Sequence, residues 1–171
     1  SMYRNHRWTL IYMDIFNRLL LYKKQSLYFI LQGSLYKSLR TRSYDFYNQQ
    51  NFFGYAIGGV LGANSIHIYN LINFMLQFLP NHSPIHLLGI GEVSDVLSTI
   101  KIGIDTFDCV YPTRLARHGC ALVKRQIKEF IILNNYSCLI DKNSIDNNCL
   151  CSTCKRYSRS YLHSLLKTNN I

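Results

Sequence analysis

The sequence predicts an α/β fold built on a parallel sheet, with a metal-binding region after it. Short apolar runs end in turn signals, and longer helix-like segments separate them. The residues with chemical potential fall just after the runs, and a cysteine cluster of ligand spacing follows.

The runs are SLYFILQG (26–33), FFGYAIGG (52–59), IHLLGIGE (85–92) and DTFDCVYP (105–112). Their unbroken apolar character is what strands buried on both faces of a parallel sheet require. Between them, LYKSLRTRSYDFYNQQ (35–50), SIHIYNLINFMLQFL (65–79) and VSDVLSTIKIG (93–103) read as helices. The second is apolar at Ile68, Leu71, Ile72, Met75 and Phe78, and Gly103 stops the third. Strand ends in such a β-α-β-α-β-α-β order carry the sites of barrel and doubly wound enzymes. Two architectures stay open at this level. A doubly wound sheet is complete with about four or five strands. Half of an eight-stranded barrel leaves two open edges and an uncovered inner face.

After Pro112 the character changes. Residues 113–148 read as irregular and polar, with Asn pairs at 134–135 and 147–148. KRYSRSYLHSLLK (155–167) reads as one basic amphipathic helix, with Tyr157, Tyr161 and Leu165 on one stripe. The expected division is therefore 1–112 and 113–171.

A hydrophobic content of 48% excludes a disordered chain. Nineteen Lys and Arg against nine Asp and Glu give a formal charge of +10. That favours a polyanionic partner, nucleic acid before membrane, although a solvated basic face fits the same count. No stretch is apolar for the length of a membrane span. Ser1 to Trp8 is polar and basic with no signal-peptide core behind it. The expectation is a cytoplasmic protein with reduced cysteines.

Asp108 is the central candidate. A lone aspartate at a strand end commonly caps a turn. Here it sits at the expected catalytic end, in an apolar stretch that raises the cost of an unpaired charge. Arg114 and Arg117 follow, and Gln32, Gly58, Gly59 and Gly89 stand at other strand ends. Such convergence suits a planar, hydrogen-bonding ligand and an acid that attacks or protonates it. The glycine pair opens the backbone to close approach, and Gln32 offers a donor and an acceptor to a base edge. Each of these is also ordinary turn chemistry. Asp105, at the strand start, suits a capping role.

Cys149, Cys151 and Cys154 offer three thiolates within six residues, a good start for structural Zn²⁺. His163, Cys138 and His118 are the candidates for a fourth ligand, and His163 is not expected to turn inward. The alternative is three free thiols. Arg114, Arg117, Lys124, Arg125, Lys155, Arg156 and Arg159 form either a phosphate track or a solvated face.

YFILQGSLYKSLR, FFGYAIGGVLG, HLLGIGEVSDVL, GIDTFDCVYPTRLARHG and CLCSTCKRYSRSYLH together resemble the tRNA-guanine transglycosylases, also called queuine tRNA-ribosyltransferases. The resemblance runs from about residue 7 to the end. It implies the C-terminal half of a (β/α)₈ TIM barrel, with a zinc-binding subdomain. It implies exchange of guanine at the tRNA wobble position for a 7-deazaguanine, with Asp108 as the nucleophile that forms a covalent ribosyl ester. Gln32 and the amides of Gly58 and Gly59 would read the base, beside Gly89, with Leu88 as an apolar wall under the ring. Arg114 and Arg117 would hold the anticodon loop. Cys149, Cys151 and Cys154 match the family's zinc ligands. Tyr157 and Tyr161 fall on the helix of its homodimer interface.

The sequence also departs from the family's pattern. The first half-barrel, with a second catalytic aspartate and another base-reading aspartate, has no counterpart here. Nor has the family's fourth zinc ligand, a histidine beyond Ile171. GGVLGAN is shorter than the bacterial motif and lacks its glutamate, and Ser34 stands where many members have glycine. The expectation is a fragment inactive by itself, completed by a partner half-barrel. A non-catalytic remnant that only binds RNA is the alternative. A complete small α/β protein with a zinc-stabilised tail is a third.

Overall fold

The computed structural model describes residues 2–20, 23–47, 50, 52–60, 64–124 and 129–168. It forms two compact units, Ser1–Cys109 and Val110–Ile171.

The first unit begins with helix α1 (Met2–Arg18) and alternates from there. The order is β1 (Tyr28–Leu31), α2 (Lys37–Asp45), β2 (Gly54–Ile57), α3 (Ser65–Leu76), β3 (Ile85–Leu88), α4 (Val93–Ile100) and β4 (Thr106–Asp108). The strands lie in sequence order in one parallel sheet. Phe29 pairs with Tyr55, Leu87 with Phe107, and Leu88 with Asp108. This α/β sheet is compatible with part of a barrel.

Side chains alternate across a strand, so the register sorts them into two faces. Phe29, Leu31, Tyr55, Ile57, Ile85 and Leu87 join Ile68, Leu71, Ile72 and Met75 of α3 in one buried core. Phe29, Leu31, Ile57, Ile72, Met75 and Leu87 are fully buried, each worth roughly 1.5–3 kcal/mol of burial. The other face carries Ile30, Ala56, His86, Leu88, Thr106 and Asp108. Burial on both faces, expected for all the runs, is found only in β2. β1 and β3 alternate, and Thr106 and Asp108 of β4 are exposed. The helices cover one face, and the other lies partly open.

The polar start of the chain hid α1. Its regular spacing lies in Trp8, Ile11, Tyr12 and Ile15, all exposed, while the buried contact is His6. That ring stacks on Phe46 at 4.4 Å and meets Tyr47 edge-on at 5.3 Å.

The second unit holds α5 (Tyr111–Arg117), an antiparallel hairpin of β5 (Cys120–Leu122) and β6 (Phe130–Ile132), a 3₁₀ turn (Tyr136–Cys138), α6 (Ser152–Arg156) and α7 (Arg159–Lys167). The stretch read as irregular thus contains a helix and a hairpin, with elements too short for a period to show. Pro112 starts α5, and Gly119 at φ 69° turns the chain into β5. The single helix expected over 155–167 is two. Tyr157 is extended, and Ser158 caps α7 by accepting the Tyr161 N–H at 3.2 Å. Tyr157 still stacks on Tyr161, with ring centroids 5.1 Å apart.

Candidate functional site

Two glycine-bearing turns stand at the open end of the sheet. After β1, Gly33 has φ 141° and Ser34 has φ 50°, a conformation that glycine adopts more readily. After β2 comes Gly58-Gly59, with Gly59 at φ 71°. A Cβ at Gly58 would stand 3.1 Å from Leu88 Cδ1, 3.6 Å from Ile30 Cγ2 and 3.9 Å from Gln32 Nε2. Gln32, Gly58 and Leu88 therefore lie close together, with little room for a side chain at Gly58. The Gly58 N–H is spent on Leu31 O at 3.4 Å. Of the two expected base-reading amides, that leaves the one at Gly59. Gln32 also lines a cleft of about 380 Å³ with Gly33, Ser34, Arg4 and Trp8. The residues of GGVLGAN at 61–63 lie outside the described residues.

Asp108 ends β4 on the open face. Its side chain is 60% exposed, so the apolar, unpaired setting expected for it is not what forms. Oδ1 accepts from His86 Nε2 at 3.1 Å and from the Gly89 N–H at 3.3 Å. Neither bond touches Oδ2. His86 Nδ1 lies 2.8 Å from Thr106 Oγ1. Nε2–H is given to the carboxylate, and Nδ1 is within hydrogen-bond reach of the Thr106 hydroxyl. Gly89 N–H also binds Asp108 O at 3.0 Å, which fixes the two strand ends together. His86 carried no role in the sequence reading. Its signal was its place two residues before Leu88 on the same strand face. Asp105 takes the structural part expected of it and accepts the Ile85 N–H at 2.7 Å.

Behind the turns lies a buried polar set that the sequence reading also missed. Arg40 has no exposed surface. It donates to Leu31 O and Gly58 O, each at 2.6 Å, and to Ser34 O at 2.8 Å. Burial pushes its pKa down to about 10, so it stays a cation at neutral pH. Ser43, one turn further along α2, accepts the Gln32 N–H at 3.2 Å and lies 3.3 Å from His6 Nε2.

In the second unit the Cys149, Cys151 and Cys154 sulfurs lie within 4.8 Å of one another, and all three thiols are free. That spacing fits three corners of a tetrahedral thiolate site. Cys151 Sγ caps α6 by accepting the Cys154 N–H at 3.5 Å, and that bond lowers its pKa, whereas burial raises that of Cys154. None of the three candidate fourth ligands joins the cluster. His163 is buried and does turn inward, but its Nδ1–H donates to Leu133 O at 2.8 Å. His118 Nδ1 binds Arg114 O at 2.7 Å, and Cys138 Sγ lies 3.6 Å from Ile132 O. Among the described residues the cluster comprises the three cysteines alone.

The basic residues separate. Arg114, Arg117, Lys124, Lys155 and Arg156 are exposed, with Arg114 over the Tyr111 ring at 5.7 Å. Arg159 is not part of a solvated track. It donates to Asp141 at 2.8 Å and to Ile145 O at 3.1 Å, with 14% of its side chain exposed. Arg125 lies outside the described residues.

A parallel α/β sheet presenting an acid and a glycine pair at its strand ends, in a chain that also carries a tricysteine cluster, has the marks of a metal-binding α/β enzyme. The family model described as queuine tRNA-ribosyltransferase matches residues 1–171, and the chain belongs to that family. A queuine tRNA-ribosyltransferase of Prochlorococcus marinus strain MIT 9515 is 40% identical over 175 residues, covering 100% of this chain and 44% of that protein. One from Roseiflexus sp. is 38% identical over 148 residues, covering 86% of this chain and 37% of that protein. One from Fusobacterium nucleatum is 37% identical over 150 residues, 86% and 39%. The chain thus spans less than half the length of these relatives. Among the described residues no helix is long and apolar enough to cross a membrane.

Proposed function

We propose that this chain supplies the nucleophile and base-reading half of a tRNA-guanine transglycosylase acting on the wobble position. The observation that carries the reading is Asp108 on an open strand end, bound to the Gly89 N–H and paired in register with Leu88, which lies close to Gly58 and Gln32. A carboxylate oxygen of Asp108 bonds to C1′ of the flipped-out nucleotide as the C1′–N9 bond breaks. The departing guanine takes the bonding pair and a proton, which on the family's pattern comes from a second aspartate absent from these residues. A 7-deazaguanine or queuine then gives its N9 proton to that second aspartate, displaces the carboxylate through N9 and restores the glycosidic bond with retention. His86 and Gly89 hold one carboxylate oxygen by hydrogen bonds, which orients the group.

The sheet is read as the C-terminal half of a (β/α)₈ barrel. Its partly open face and the exposed Trp8, Ile11, Tyr12 and Ile15 of α1 suit continuation by further strands and helices. Arg114 and Arg117 take the anticodon loop. Cys149, Cys151 and Cys154 take Zn²⁺, which when bound cross-links the three thiolates. Tyr157 and Tyr161 take part in a homodimer contact. The setting is cytoplasmic.

The test is reconstitution. The chain is combined with a first half-barrel from a relative, and radiolabelled guanine exchange into tRNA is measured. Exchange should appear only in the combination. Asp108→Asn should abolish turnover and the covalent RNA adduct while leaving tRNA binding nearly intact. An adduct that survives Asp108→Asn would refute the assignment of the nucleophile.

A further inference from the structure

Arg40 is a buried cation with an unusual set of partners. Its three acceptors are all main-chain carbonyls, Leu31, Ser34 and Gly58. Among the described residues no ion pair includes it. A charge enclosed without an acid is costly, and an apolar side chain would fill the space more cheaply. The guanidinium is a rigid planar fork, and here its donors fix the ends of β1 and β2 against each other.

Each of those carbonyls is one end of a peptide unit whose other end is an N–H. A cation on the oxygen draws electron density through the conjugated unit and makes the N–H a stronger donor. The unit that starts at Leu31 O ends at the Gln32 N–H, which is taken by Ser43. The unit that starts at Gly58 O ends at the Gly59 N–H, for which no acceptor stands among the described residues. Gly59 lies beside Gln32 and Arg40. A Cβ there would stand 3.6 Å from Gln32 Oε1 and 3.9 Å from Arg40 Nη2.

We propose that Arg40 is a positioning residue for base recognition: it sets the Gly58-Gly59 turn against Gln32 and polarises the shared peptide, so that the Gly59 N–H is a strengthened donor to a carbonyl oxygen of the bound base. The proposal rests on the base-binding reading above. It adds a group that never touches the base and yet sets which bases are accepted.

The test compares binding of guanine and of 2-aminopurine, which lacks the carbonyl oxygen, to the full chain by competition fluorescence. The wild type prefers guanine. Arg40→Lys keeps the charge but cannot span three carbonyls, and Arg40→Met removes both. Each should cut the guanine preference about tenfold and leave 2-aminopurine affinity nearly unchanged. A purely structural loss would lower both affinities by one factor and keep their ratio. A wild type that prefers guanine, with variants that keep the full ratio, would overturn the role of Arg40 and leave base binding standing. A wild type with no preference would overturn base reading itself and the role of Arg40 with it. Should the variants not fold, guanine titration of the wild type should move the Gly59 amide proton downfield in NMR, and an unmoved amide would overturn the proposal.

Discussion

The first unit closes over a continuous apolar core drawn from three strands and α3, with Leu87 and Ile72 fully buried. In the second unit the buried side chains among the described residues are Leu133, Cys138 and His163. Local polar devices do the remaining work there. Asp141 accepts from the Asn143 N–H at 2.9 Å, from Asn143 Nδ2 at 2.8 Å and from Arg159 Nη1 at 2.8 Å. The Arg159 N–H donates to Asn143 O at 2.8 Å, which ties the start of α7 to that loop. The contrast teaches that one chain uses two sources of stability. A sheet with helices buries a continuous apolar core, whereas a short unit with small elements relies more on turns and caps, and its three cysteines could add a metal cross-link.

Removing the metal should break this contrast most sharply. The second unit should loosen when zinc is chelated or when Cys151 is replaced by Ser, and hydrogen exchange in the first unit should stay unchanged. The effect should fall below the ~10–16 kcal/mol of complete zinc-finger sites, because three thiolates are in reach rather than four ligands. Metal analysis of the purified chain should find zinc bound weakly. A chain that takes up no zinc when supplied with it would refute this prediction.

Core truncation should act in the opposite unit. Leu87→Ala should cost about 3–5 kcal/mol and expose amides throughout the sheet. Leu133→Ala, at a buried position with fewer apolar neighbours, should cost nearer ~2 kcal/mol and act only in the second unit. Chemical denaturation followed by hydrogen exchange separates the two. Equal costs would mean that the second unit has a core as substantial as the first.

Acid should produce the smallest and most local difference. The Asn143 backbone N–H, helped by Arg159, holds the Asp141 carboxyl below its ordinary pKa. A group depressed on folding contributes stability that is full above the unfolded value of about 3.9 and is lost as pH falls through the folded value. The second unit should therefore loosen at α7 below about pH 4. Asp141→Asn should lose that acid dependence. An acid transition at α7 that persists in Asp141→Asn would show that another group carries it.

Much of this molecule was legible in its residues. The β-α alternation appears because strands must be apolar where helices cover them, and turn residues must punctuate them. The cysteine spacing is read directly, since nearby thiols in sequence are nearby in space. What stayed hidden depends on partners distant along the chain. α1 was missed because its start is polar and its buried residue is His6, whose ring partners Phe46 and Tyr47 lie far along the chain. The division of 155–167 into two helices turns on Tyr157, whose residue type does not mark a break.

By itself the sequence determined that the strands run parallel, the acid and glycines at their ends, and the tricysteine cluster. Each of these is a matter of local spacing, which the chain carries wherever it goes. Only the tertiary structure decided how those groups are used. It brought His86 to Asp108 across a strand pair, and Arg40 under Gly58 from 18 residues away. It also turned His163 toward Leu133 rather than the cysteines. Those are long-range hydrogen bonds, and a hydrogen bond requires atoms about 3 Å apart in a fixed direction. Residue spacing does not encode that direction, and packing against a sheet does.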